Sequence, residues 1–195
     1  MDEETLTVWL DTALLMLGGF VLMSVLMMTI INPPAQSKEA DSSAPGNVVI
    51  EVQWPDGLDA DVDLWVQAPG DVPVGYSNKG GEFFNLLRDD LGKISDVTDL
   101  NYEIAYSRGI PGGEYTVNVH MYRAGAGAFP IPVKVVASVK ASPEESTRQL
   151  VTTTVNLRNE NEELTVFRFR LDGQGNLVAG SINNLNKPLR AAAAQ

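Results

Sequence analysis

The chain has 195 residues, a formal net charge of −11, no cysteine and one histidine, His120. That inventory excludes a disulfide frame, a thiolate zinc site and a thiol nucleophile, and it leaves His-rich metal sites and most catalytic triads without parts. Four acids (Asp2, Glu3, Glu4 and Asp11) and no base precede Lys38, so the remainder carries 14 bases against 21 acids, a balance that argues against nucleic acid as a partner.

Residues 1–7 form a short polar tail. Residues 8–31 read as a single transmembrane helix. From Ala13 to Ile31 the chain is apolar except for Ser24 and Thr29, and at about 1.5 Å per residue this stretch covers roughly 28 Å, close to the hydrocarbon core of a bilayer. A signal peptide would need a basic start and a small-x-small cleavage site. Here the start is Met1-Asp2-Glu3-Glu4 and the exit is Asn32-Pro33-Pro34-Ala35-Gln36, so an uncleaved anchor is expected. The first base lies beyond the helix, which gives the positive-inside rule little to act on. The short tail is expected to stay in the cytoplasm, with the large domain in the periplasm of a bacterial inner-membrane protein.

Asp11 opens this helix. An ionisable group on a spanning segment is costly to desolvate and tends to face a partner or an ion path. The competing reading is a carboxylate placed at the positive end of the helix dipole, reaching to the headgroups. Leu14, Leu15, Gly18, Leu22, Val25 and Thr29 share the Asp11 face by helical spacing, and Gly18 would permit close approach of another helix.

Residues 32–46 are polar, Pro-bearing and aperiodic, and read as a linker. Residues 47–182 then switch to period two. Ile50, Val52 and Trp54 alternate with polar residues, as do Tyr115, Val117, Val119 and Met121, and Phe167, Phe169 and Leu171. Each reads as a half-buried strand with one wet face. Further strands are expected at 62–68, 131–139, 149–157 and 177–182, separated by turns such as Pro55-Asp56-Gly57, Pro111-Gly112-Gly113 and Asp172-Gly173-Gln174-Gly175. Residues 82–100 are expected as a long loop with a helical turn, and residues 183–195 as a frayed tail. The fold class is therefore one N-terminal transmembrane α-helix followed by an all-β antiparallel sandwich.

Within the sandwich, Asp61, Asp63, Asp89, Asp90 and Glu103 are candidate ligands for calcium, a cation that takes six to eight oxygens. Acids at turns and strand edges also serve as backbone caps. Trp54, Trp65, Tyr76 and Phe84 could line a ligand surface, although aromatics at sandwich positions are more often core. No other cofactor is expected. No nucleophile–base pair stands out, so no enzymatic activity is expected.

The segment Trp9-Leu10-Asp11-Thr12-Ala13-Leu14-Leu15 and the layout around it resemble the ExbD/TolR/MotB group, the B subunits of ion-driven rotary motors. The resemblance covers residues 7–36, and its one near-invariant chemical element is the Asp. It implies that Asp11 takes and releases a proton or sodium ion, and that a dimer of this chain threads a pentamer of polytopic A-type membrane subunits. A carboxylate can do this by being neutral toward lipid and charged toward an aqueous half-channel.

Residues 48–139 carry a second resemblance. Asp61-Val62-Asp63-Leu64-Trp65-Val66, Ala68-Pro69-Gly70, Gly75-Tyr76-Ser77-Asn78, Arg88-Asp89-Asp90, Tyr102-Glu103-Ile104 and Pro111-Gly112-Gly113-Glu114-Tyr115-Thr116-Val117 look like the YfaP-type bacterial sandwich domain, which implies a fold and no particular activity. No OmpA-like peptidoglycan-binding pattern is visible. The expected function is coupling of ion passage at Asp11 to force on an envelope partner through the sandwich; the alternative is a membrane-tethered binding or scaffold module.

Overall fold

A computed structural model describes residues 2–31, 46–92, 99–125, 127–142 and 144–193, without the side chains of 25, 26 and 28–31. The chain divides into two compact units, one within Met1–Ser42 and one within Ser43–Gln195. The expected linker lies outside the described residues apart from Gly46.

The first unit is one helix, α1 (Glu3–Ile31), with Glu3 and Glu4 in its first turn, where the helix dipole favours acids. Residues 3–7, expected as tail, are therefore helical, and Asp11 lies past the second turn instead of opening the helix. Its segment Glu3–Ser24 is long and apolar enough to cross a membrane, and near the N-terminus that length also fits a signal sequence. Leu10, Leu14, Leu15, Leu17, Phe20 and Leu22 are all exposed within this unit. A helix with apolar side chains all round requires lipid or protein around it.

The second unit is an antiparallel β-sandwich. Its strands are β1 (Val48–Gln53), β2 (Ala60–Gln67), β3 (Phe84–Arg88), β4 (Tyr102–Ser107), β5 (Gly113–Ala124), β6 (Ile131–Val139), β7 (Arg148–Leu157) and β8 (Glu163–Leu171). One sheet has the order β3-β4-β1-β6-β7 and the other β2-β5-β8. Alternation dictates the core: Val48, Ile50 and Val52 of β1 and Ile131, Val133, Val135 and Ala137 of β6 are buried with Val62, Leu64 and Val66 of β2 and Val117, Val119 and Met121 of β5. Trp54, Trp65 and Phe84 are buried too, whereas Tyr76 is partly exposed and meets Trp65 edge-on at 5.6 Å.

Four local expectations in the second unit are corrected. Residues 82–100 contain the short edge strand β3, which pairs with β4; the expected helical turn finds no support in 82–92, and 93–98 lie outside the described residues. Residues 177–182 are not a strand. They run beside β8 through isolated bridges, Leu171 to Leu177 and Arg168 to Asn183, with Gly180 at φ +70° interrupting regular pairing. The polar side of β5 is not wet, since Thr116, Asn118 and His120 are all buried.

The fourth correction concerns the end of the chain, which packs on the small sheet instead of fraying. Asn118 donates to the Lys187 carbonyl at 2.9 Å, Glu163 Oε1 accepts the Leu189 N–H at 2.8 Å, and Leu189 is buried. A short helix, α2 (Arg190–Ala193), follows. The polar residues that face outward on β5 and β8 are what this segment uses as its partners.

Candidate functional site

Two groups of sequence-selected residues come out of the structure with distinct chemistry, one in each unit. On α1, Asp11 shares a shallow depression with Leu14, Leu15, Gly18 and Gly19. With no side chain at either glycine the helix surface has a notch there, and it faces open space. The hydroxyls of Thr7, Thr12 and Ser24 donate to the carbonyls of Glu3, Val8 and Phe20, four residues earlier. Asp11 has no such partner among the described residues, so its carboxylate stands free beside the notch. Leu22 is exposed. The Val25 and Thr29 side chains, expected on the same face, lie outside the described residues.

The second group lies where the open edge of β2 approaches β3 and β4. β2 pairs with β5 on one side only, so its other edge presents unpaired backbone groups. Val66 satisfies its own through Val74, donating at 2.9 Å and accepting at 2.8 Å. Leu64 donates its N–H to Glu103 Oε2 at 2.7 Å. Glu103 is on β4 and fully buried; its other oxygen accepts the Asp90 N–H at 3.2 Å. Ligand oxygens of Asp63, Asp89 and Glu103 lie within 4.8 Å of one another.

Asp61 belongs to the same neighbourhood. The β2–β5 register slips between Asp61 and Val62, a bulge of the kind that re-aims a side chain, and both Asp61 and Asp63 are 4% exposed. Burial, then the charges of Asp63 and Asp89, push the Asp61 carboxyl up to about 7 despite the opposing charge of Arg123. Burial raises Asp63 as well, against the hydrogen bond and charge of His120, and raises Glu103 well above its ordinary range.

The expected fifth ligand, Asp90, is engaged elsewhere. Its Oδ2 accepts from Arg88 at 3.0 Å and from the Tyr102 N–H at 3.3 Å, and its Oδ1 accepts the Gly92 N–H at 3.0 Å. Asp90 caps the chain leaving β3.

His120, Arg190 and Lys79 join the site without having been singled out for it from sequence. Lys79 pairs with Asp89 Oδ2 at 2.7 Å. His120 lies 2.6 Å from Asp63 Oδ2 through Nδ1, and 2.5 Å from Arg190 Nη1 through Nε2. Guanidinium nitrogen only donates, so Nε2 accepts and Nδ1 carries the hydrogen given to Asp63. His120 and Asp63 stand opposite each other across β2 and β5, a register that the sequence alone does not provide.

Compared with protein-family models, curated proteins and solved structures, the chain matches none.

Proposed function

We propose that this protein is a membrane-anchored, B-type subunit of an ion-driven motor, in which Asp11 carries the proton or sodium ion and the sandwich passes force to an envelope partner. The observation behind this reading is the free Asp11 carboxylate beside the Gly18–Gly19 notch, on a helix where the Thr7, Thr12 and Ser24 hydroxyls are internally bonded. A carboxylate with no partner on an apolar helix needs one from outside, and a glycine notch lets a partner helix come close enough to provide it. The resemblance of residues 7–36 to the ExbD/TolR/MotB group points the same way.

In this reading α1 spans the inner membrane with its acidic start in the cytoplasm, and the sandwich is periplasmic. Two copies of α1 are threaded through five A-type subunits. Asp11 accepts an ion while facing one subunit and releases it when facing the next.

Native mass spectrometry of the complex extracted in mild detergent tests the assembly. Two copies of this chain with five of a polytopic subunit are expected. A partner-free monomer would favour the membrane-tethered scaffold instead.

A further inference from the structure

We propose that the carboxylates of Asp61, Asp63, Asp89 and Glu103 bind one calcium ion that ties the two sheets of the sandwich together at the open edge of β2. The inference is independent of Asp11. An acidic cluster alone would say little, because exposed acids gather at many strand edges. In this one Asp61, Asp63 and Glu103 are buried and Asp89 is partly so, and it holds carboxylate oxygens with no donor. Asp61 Oδ1 and Asp89 Oδ1 are both buried without a hydrogen-bond partner, and Asp61 is only 4% exposed. A carboxylate oxygen buried without a donor is costly, and a cation supplies what is missing.

The cations already present are committed at the margin. Lys79 is on Asp89 Oδ2, Arg88 on Asp90, and Arg123 on Asp59 at 2.9 Å. His120 donates to Asp63 Oδ2.

The donor set selects a hard cation. All four residues offer oxygen only. Both nitrogens of His120 are occupied, Nδ1 by Asp63 and Nε2 by Arg190, so no imidazole is available to favour zinc or copper. Ligand oxygens of Asp63, Asp89 and Glu103 lie within 4.8 Å of one another, which suits oxygens around an ion with Ca–O distances of about 2.4 Å, and three carboxylates already exceed the one or two that magnesium usually takes. Asp61, two residues before Asp63 on β2, would add a fourth. Asp61 and Asp63 belong to the small sheet, while Asp89 follows β3 and Glu103 lies on β4 of the large one. One ion would therefore link strands that share no backbone ladder.

Calcium titrated calorimetrically into the full chain in detergent, after stripping with chelator, is expected to give one saturable site per chain. It should bind at least tenfold more weakly when magnesium replaces it, and saturation should raise the melting temperature by roughly 5 °C or more. Asp61→Asn keeps the side chain's shape and removes a buried charge. It is expected to weaken calcium binding at least tenfold without lowering the melting temperature of the metal-free chain, and Asp89→Asn should weaken binding as well. Absence of heat and of any melting shift at millimolar calcium would overturn the proposal. So would equal affinity for magnesium, or binding that neither variant alters.

Discussion

Glu103 on β4 accepts the backbone N–H of Leu64 on β2 at 2.7 Å, so a fully buried carboxylate of one sheet closes the open edge of the other. Its second oxygen accepts the Asp90 N–H, which anchors the chain leaving β3 to the same residue. This arrangement makes Glu103 both a backbone cap and the innermost acid of the cluster.

Truncating that cap is expected to weaken the domain. Glu103→Ala leaves the N–H groups of Leu64 and Asp90 buried without acceptors, at about 1–3 kcal/mol for each orphaned group. Glu103→Gln retains one carbonyl acceptor and should cost less. Denaturant unfolding of the two variants, followed by the far-ultraviolet β signal, checks the order.

The end of the chain is expected to behave as part of the core. Leu189 is 1% exposed, and Leu189→Ala should destabilise the sandwich by about 2–5 kcal/mol. Arg190→Ala should have a smaller effect, since it leaves His120 Nε2 without its donor. Deleting residues 184–195 should lower the melting temperature more than either substitution; a frayed tail would leave it unchanged.

Acidification should stabilise the metal-free sandwich. Asp61 is raised from 3.8 to about 7, and Asp63 and Glu103 shift in the same direction, each chiefly through burial. Across that window the folded chain holds more protons than the unfolded one, so the stabilisation is full below the unfolded value and is lost as pH rises through the folded one. Asp71 and Asp172 are shifted downward, and their contribution is lost only in stronger acid. With chelator present, the melting temperature should therefore be higher near pH 5 than near pH 8, and Asp61→Asn should flatten the slope. A melting temperature that rises with pH across this range would contradict the burial of the cluster.

The parts legible in the sequence were those where apolar alternation points at the core. β6 alternates between buried and more exposed positions, and its observed span, Ile131–Val139, coincides with the strand expected there from the sequence. β4 reads backwards. Tyr102, Ile104 and Tyr106 alternate as an apolar face, yet they are the half-exposed side, while Glu103, Ala105 and Ser107 are buried. A buried Glu reverses the pattern, and only its partner on β2 explains the reversal.

The docked tail was hidden for a related reason. Its anchors are mostly polar, with backbone groups of Lys187 and Leu189 meeting Asn118 and Glu163, and Leu189 is a lone apolar residue with no period. Asp63, Asp89 and Glu103 were visible as acids, but their convergence depends on the pairing of β3 with β4 and on how the β2 edge lies against them.

The central claim is that Asp11 carries the ion, and ion uptake into proteoliposomes holding the co-purified complex tests it most directly. Wild type, Asp11→Asn and Asp11→Glu would be reconstituted at equal density and a proton or sodium gradient imposed. If Asp11 carries the ion, uptake is expected from the wild type, none from Asp11→Asn, which assembles normally but cannot alternate between charged and neutral forms, and reduced uptake from Asp11→Glu, whose carboxylate is displaced by one methylene. A carboxylate that only reaches to the headgroups, with no part in ion passage, predicts three equal traces. Uptake by Asp11→Asn at the wild-type rate would contradict the account.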